Sequence, residues 1–316
     1  MSTAPLRLGT RRSQMALVQA GQVARLITER TGRAVELVPV TTFGDVSRAQ
    51  LAQIGGTGVF VSGLRERLLA GEIDVAVHSL KDLPTTGPGG IVLAAVPARD
   101  DPRDALVTAD GAKLADLPPG ARIGTGSPRR AAQLRLLRPD VIPVPVRGNA
   151  DTRLSKVGSG QLDAVVLGYA GLARISRLDA VAEVFEPDQM LPAPGQGALA
   201  VECAAAAAEL VALLATADDP SSRAAITAER SVLAALEGGC SAPAGAYAAY
   251  TTATDTVHLQ AGVFDPGGAG AVRAADSGSA AGAAALGRQV AGELLRRGAG
   301  DYISVPAARP SDGGDV

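Results

Sequence analysis

The chain has 316 residues, 47% hydrophobic and 20% charged, the balance of a folded protein with room for several cores. A net charge of -2 argues against a nucleic-acid protein, which would be clearly basic. No apolar run reaches membrane-spanning length and no signal-peptide core precedes the first strand pattern, so neither a membrane partner nor export is expected. Two cysteines cannot build a disulfide framework, which points to a reducing cytoplasm. His78 and His258 stand apart, without clustered cysteines or paired acids, so no transition-metal site is expected.

In chain order, residues 6–9 predict a strand and 13–30 a helix with Ser13 as its N-cap. A strand over 35–40, a helix over 61–70 and strands over 73–77 and 91–96 follow. The polar stretch 98–103 marks a crossing point. The pattern then restarts with strands at 105–107 and 122–124, a helix over 128–138, a strand over 141–146, a helix near 150–157 and a strand over 162–167. After the loop 191–197, residues 198–202 read as a strand that returns to the first lobe. The expected fold is therefore α/β, with two similar doubly wound lobes, 1–97 joined by 198–216 and 103–192, and a ligand cleft between them.

From about residue 219 the character changes. A helix over 221–236 carries an apolar stripe through Ala225, Ile226, Val232, Leu233 and Leu236. Strands follow at 245–250 and 257–264, then the turn Asp265-Pro266-Gly267-Gly268, a weaker strand at 271–275 and a helix over 280–297. Residues 219–306 make a small α+β third domain, and 307–316 a disordered polar tail.

Charged groups cluster where such sheets bind ligands, beyond strand carboxyl ends and at helix starts. Arg11 and Arg12 follow the first strand, and His78-Ser79-Leu80-Lys81-Asp82 leaves the buried strand at 73–77. Thr125, Ser127, Arg129 and Arg130 open a helix, Arg147 follows the strand at 141–146 with Arg153 beyond it, and Arg174 follows the strand at 162–167. Only three of the 30 basic residues are lysine (Lys81, Lys113 and Lys156), a bias whose bland cause is a GC-rich genome. One such arginine is usually a solvated or carboxylate-paired side chain. Five clusters at one end of two sheets describe an anion cleft, because guanidinium forks hold carboxylates in paired hydrogen bonds.

Asp82 stands out in that basic setting as a carboxylate able to stabilise a cation or relay protons; its plain alternative is a turn cap ahead of Pro84. Lys81 suits an anion contact better than a Schiff base. Cys240 lies in the loop Glu237-Gly238-Gly239-Cys240-Ser241-Ala242-Pro243, where two glycines free the backbone and expose a thiol that cysteines more often bury. The loop Gly55-Gly56-Thr57-Gly58 has no Walker lysine and reads as part of a mobile lid over 41–58.

Together these segments resemble the porphobilinogen deaminase (hydroxymethylbilane synthase) family. The matching stretches are Thr10-Arg11-Arg12-Ser13, Thr42-Phe43-Gly44-Asp45, Val77-His78-Ser79-Leu80-Lys81-Asp82-Leu83-Pro84, Asp100-Asp101-Pro102-Arg103-Asp104, Gly124-Thr125-Gly126-Ser127-Pro128-Arg129-Arg130, Arg147-Gly148-Asn149, Thr152-Arg153-Leu154-Ser155-Lys156, Pro194-Gly195-Gln196-Gly197 and Glu237-Gly238-Gly239-Cys240. Each is modest alone, but they run in order over nearly the whole chain. The resemblance implies lobes of the periplasmic-binding-protein type II fold. It also implies a dipyrromethane cofactor joined to Cys240 by a thioether, and head-to-tail joining of four porphobilinogen molecules with loss of ammonia, in tetrapyrrole (haem) biosynthesis.

By the same resemblance Asp82 is the catalytic residue. Lys81, Ser79, Thr125, Ser127, Arg129, Arg130, Arg147 and Gln196 would hold the cofactor with Cys240, and Arg11, Ser13, Phe60, Arg153 and Arg174 the substrate. A cytoplasmic monomer that passes its product to the next pathway enzyme is the expectation. Thr57 departs from the family, which often has lysine there, and Arg48 is the one basic residue of the lid, so lid lysines have no gating role here. A solute-binding protein is the leading rival, disfavoured because it has no use for Cys240; an inactive relative is disfavoured by Asp82 and Cys240 together.

Overall fold

A computed structural model describes residues 4–41, 61–237 and 242–303. Cys240, Phe60, all of the expected lid except Thr41, and the tail 307–316 lie outside the described residues.

The first sheet takes β1 (Leu6–Arg11), β2 (Val35–Val40), β3 (Val75–Ser79) and β4 (Ile91–Ala95), and admits β10 (Leu199–Ala204) between β3 and β4. Its order is β2-β1-β3-β10-β4; β1 pairs in parallel with β2 and β3, whereas β10 runs antiparallel to both its neighbours. The second sheet repeats this plan with β5 (Asp104–Thr108), β6 (Arg122–Thr125), β7 (Ile142–Pro145), β8 (Ala164–Gly168) and β9 (Val181–Phe185), in the order β7-β6-β8-β5-β9. Here β5 is the antiparallel strand. In each lobe that strand is the one that has just crossed from the other lobe, which is why it runs against the rest. Val181–Phe185 had no sequence expectation, being short and broken by Glu183.

Helices cover both faces of each sheet, so the lobes are doubly wound α/β units. Helix α1 (Gln14–Thr31) lays Ala20, Val23 and Ile27, at helical spacing, on Leu8, Val75 and Val77. Ser13 caps it by accepting from the Ala16 N–H, and Gly32 ends it at φ 70°. Helix α2 (Ser62–Leu69) buries Leu64 and Leu68 against Val40, Ile73 and Ala76 on the opposite face. In the second lobe α3 (Pro128–Leu137) covers one face through Leu134, and α4 (Ala150–Gly158) the other through Leu154 and Val157. Proline suits β7, an edge strand, where Pro143 and Pro145 leave no inner ladder bond unmade. Two short helices without a sequence expectation, α5 (Tyr169–Arg174) and α6 (Ala208–Leu214), follow β8 and β10.

The third unit is α+β. Helix α7 (Pro220–Ala235) and α8 (Ala283–Arg296) pack on the antiparallel sheet β11 (Ala244–Thr251), β12 (Thr256–Phe264) and β13 (Ala271–Ser279), and α9 (Gly300–Ile303) follows α8. The β12–β13 turn closes with the Gly268 N–H donating to the Asp265 carbonyl, and β13 runs four residues past the sequence expectation because the whole of it pairs with β12. The apolar stripe of α7 divides between two cores. Ala225, Val232 and Leu236 enter the core of the third unit, while Ile226 packs with Leu80, Leu83 and Val96 of the first lobe.

Candidate active site

Four parallel strands of the two lobes deliver the predicted groups at their carboxyl ends. Strand β3 ends at Ser79 and passes into a 3-10 turn, Leu80–Asp82. Leu80 is fully buried, which at about 1.5–3 kcal/mol for such a side chain anchors the turn and leaves Lys81 half-buried and Asp82 exposed. Gln19 of α1 donates to Ser79 Oγ at 2.9 Å, fixing the strand end. Strand β6 ends at buried Thr125, whose hydroxyl accepts from the Ser127 N–H at 3.2 Å. Ser127 then caps α3, with Pro128 in its first turn, where no N–H partner is needed. Beyond β7, Asn149 caps α4 and leaves Arg147 exposed on the approach. Arg11 is half-buried at the last position of β1.

At the centre lies Asp104, the first residue of β5 and fully buried. Arg130 holds its Oδ1 at 2.7 Å and Arg129 its Oδ2 at 2.8 Å. The Gln196 amide donates to Oδ1 at 2.7 Å and also to the Pro102 carbonyl at 2.7 Å. Gln196 Oε1 in turn accepts from Arg130 at 3.2 Å and from the Lys81 ammonium at 3.3 Å. One amide side chain therefore ties Lys81 of the first lobe to Arg130 of the second.

Burial opposes the charge on Asp104, but the two guanidinium groups overcome it and hold its carboxyl well below the usual carboxylate range. Lys81 goes the other way. Burial, then the nearby Arg130 charge, push its ammonium down to about 8, against the pull of Asp82 and Asp104. Arg153, half-buried, is pushed down by burial and by Arg130; it donates to the Gly148 carbonyl at 3.0 Å, and no described carboxylate pairs with it. The Asp82 carboxylate accepts no hydrogen bond among the described residues.

Arg174 follows β8 at one remove. It ends helix α5 rather than following the strand directly, pairs with Asp100 at 2.7 Å and donates to the Gly197 carbonyl at 2.6 Å. Those two partners lie on the two chain crossings between the lobes, which also pair through the Asp100 N–H and Gly197 carbonyl. Gly197 has φ 87°, and a Cβ there would fall 2.4 Å from the Asp100 carbonyl oxygen, so only glycine lets the crossings approach this closely.

Glu229 of α7, fully buried, fastens the crossings to the third unit. It accepts from Arg99 at 2.6 Å, from the Gly195 N–H at 2.7 Å and from the Ala248 N–H at 2.8 Å. Neither Glu229 nor Asp104 was a sequence candidate. The available signal was an acid at the head of an otherwise apolar strand for Asp104, and an acid on an apolar helix face for Glu229.

Chemically, the cleft offers cations and hydroxyls from both lobes around one exposed carboxylate, Asp82. Two pyrrole rings bearing four carboxylates suit that donor set: Arg153 has no acidic partner among the described residues, and an anion beside Lys81 would restore the charge that burial weakens. No group of His, Cys, Asp and Glu fit for a metal occurs among the described residues, and no described helix is long and apolar enough to cross a membrane.

Comparison with known proteins agrees with this geometry. Residues 6–212 match the family model described as porphobilinogen deaminase, dipyromethane cofactor binding domain, and residues 224–296 the porphobilinogen deaminase, C-terminal domain. A porphobilinogen deaminase of Thermobifida fusca (strain YX) is 58% identical over 316 residues, covering 98% of each chain. Porphobilinogen deaminase 1 of Streptomyces coelicolor is 55% identical over 310 residues, 95% of this chain and 97% of the relative. Among solved structures, the Bordetella pertussis BvgS VFT2 domain aligns with 67% of this chain and 85% of its own, at 20% identity and a TM-score of 0.41. On the strength of the two family models and these full-length relatives, the chain belongs to the porphobilinogen deaminase family.

Proposed function

We propose that the cleft lined by Lys81, Asp82, Arg130 and Arg153 is where this chain carries out its family's reaction. The chain is a deaminating transferase that polymerises four porphobilinogen molecules head to tail into hydroxymethylbilane, on a dipyrromethane primer, in tetrapyrrole biosynthesis. The dipyrromethane, held through Cys240, would supply the terminal pyrrole carbon to which the first ring is joined, and each later ring would join the ring added before it.

The residues divide the work by chemistry. As ammonia leaves porphobilinogen, its ring gains positive charge, and the Asp82 carboxylate stabilises that charge and takes part in proton transfer. Lys81, Arg129, Arg130, Arg147 and Gln196, with the Ser79, Thr125 and Ser127 hydroxyls, hold acetate and propionate groups of the cofactor. Arg11, Ser13, Arg153 and Arg174, with Phe60 outside the described residues, receive the incoming substrate. The observation that supports this reading is the Lys81–Gln196–Arg130 link, which joins a cation of the second lobe to Lys81, the chain neighbour of Asp82. Because Arg129 and Arg130 already share Asp104, the part of this assignment they fill is orientation, while Arg153, with no acidic partner among the described residues, brings net charge.

In the same reading the first lobe is 1–97 with 198–216, the second 103–192 and the third 219–306, and the chain acts as a cytoplasmic monomer that hands its product to the next enzyme. The scarcity of cysteine, which suits a reducing compartment, supports its cytoplasmic part. Intact-protein mass measurement tests the whole: an adduct of two pyrrole units is expected on Cys240 and absent in Cys240→Ser. An unmodified, folded preparation unable to form hydroxymethylbilane would overturn it. Asp82→Asn is expected to keep the fold and the adduct and lose about a hundredfold or more in turnover.

A further inference from the structure

Asp82 is displayed by a turn that its own backbone barely holds. Between the end of β3 and the start of β4, the turn's internal backbone bond is Leu83 N–H to the Leu80 carbonyl, and the Leu80 N–H donates outward to Ala198. Pro84 then removes a donor. The carbonyls of Leu83 and Pro84 would be left as orphan acceptors at the end of a short helical turn.

Arg230 of α7 fills them. Its Nη1 donates to the Leu83 carbonyl at 3.0 Å, with a longer contact of 3.4 Å to Leu80, and its Nη2 donates to the Pro84 carbonyl at 2.6 Å. One turn earlier on the same helix face, Ile226 packs on Leu80 and Leu83. A planar guanidinium with several donors suits this task, since it can bind two carbonyls in fixed relative positions. The preceding residue, Glu229, is tied to the lobe crossings, and α7 ends at Ala235, five residues before Cys240.

We infer that Arg230 is a positioning residue for Asp82, through which the C-terminal unit sets where the carboxylate stands. Because that carboxylate accepts no hydrogen bond among the described residues, its location depends on the turn backbone, and so on Arg230. The inference rests on the reading of Asp82 as the catalytic residue. It makes the helix that leads into the cofactor loop the same helix that holds the catalytic turn.

The test compares the holoenzyme with Arg230→Ala, Asp82→Asn and the double variant, each checked by mass for the cofactor adduct. Arg230→Ala is expected to lower kcat about tenfold to a hundredfold with KM within about twofold, because small displacements of a reacting group cost this much. Its amide hydrogen exchange should rise in residues 80–84 and stay unchanged in β3. In single-turnover measurements on Asp82→Asn, adding Arg230→Ala should cost nothing further, since the group it positions is already disabled. Arg230→Lys, which keeps the charge but reaches a single carbonyl, should fall between Arg230→Ala and wild type, and it replaces the alanine variant if that does not fold. Unchanged kcat in the Arg230 variants beside an inactive Asp82→Asn would overturn this inference alone, as would a loss that adds in full on Asp82→Asn. Wild-type turnover by Asp82→Asn would overturn the reading of Asp82, and this one with it.

Discussion

Arg130 and Asp104 are locked together in the interior, with Nη2 2.7 Å from Oδ1 and both side chains removed from solvent. Arg129 shares the same carboxylate, so two arginines nominated for ligand binding are held by one acid beforehand. Removing that acid should therefore damage the fold before it alters chemistry. Asp104→Ala leaves two buried guanidinium groups with one partner fewer, and a loss of about 3–5 kcal/mol is expected in urea unfolding. A stability within about 0.5 kcal/mol of wild type would contradict the buried pairing.

Lys81 gives a pH signature. Its folded-state value of about 8 lies below its ordinary 10.5, so between those values the unfolded chain keeps a proton that the folded chain has released. Stability from this group must then rise as pH increases across that window. In apo protein, wild type should gain on Lys81→Met as pH climbs from about 8 to 10.5, read from unfolding midpoints. Parallel profiles would show that Lys81 titrates as an ordinary lysine.

Glu202 predicts the opposite behaviour in acid. Burial alone would raise its carboxyl, but paired hydrogen bonds from Arg65, with the His78 ring 3.4 Å away, hold it at about 2, below its ordinary 4.5. The stabilisation is complete above 4.5 and disappears as pH falls through about 2. Glu202→Gln should be destabilised by about 3 kcal/mol at neutral pH, and the gap to wild type should close in strong acid. A gap that persists unchanged at low pH would assign the effect to packing instead.

Gly197→Ala probes the crossings. The alanine would have to adopt φ 87° and clear the Asp100 carbonyl, a cost of about 1–3 kcal/mol. Arg174 and Gln196 lie against the same segment, so turnover should fall with the melting temperature. Full activity with normal melting would mean that the crossings tolerate separation.

Much of this was readable before any coordinates. Periodicity located the two lobes and the third unit, and the position of a group after a strand put Lys81 and Arg130 in one cleft. What escaped was pairing at long sequence range. Nothing local to Gln196 says that its amide bridges residues 81 and 130, and nothing local to Arg230 says that it caps a turn near residue 83. The partners of Arg174 were hidden for the same reason: it follows β8 by way of a helix of six residues, too short to show a period. Short strands such as Val181–Phe185 were lost to an inward-reaching acid, Glu183, whose carboxylate accepts from the Leu114 N–H.

The returning strand β10 also orders the assembly of the chain in time. The second sheet has all five of its strands once residue 185 has been made, whereas the first lacks one until residues 199–204 arrive. On the ribosome the N-terminal lobe is thus begun before the second and completed after it, with its β3 and β4 edges waiting unjoined while a whole second lobe is synthesised. The long-range pairing of β10 leaves the unfinished first lobe as the stretch most exposed to mispairing during biosynthesis.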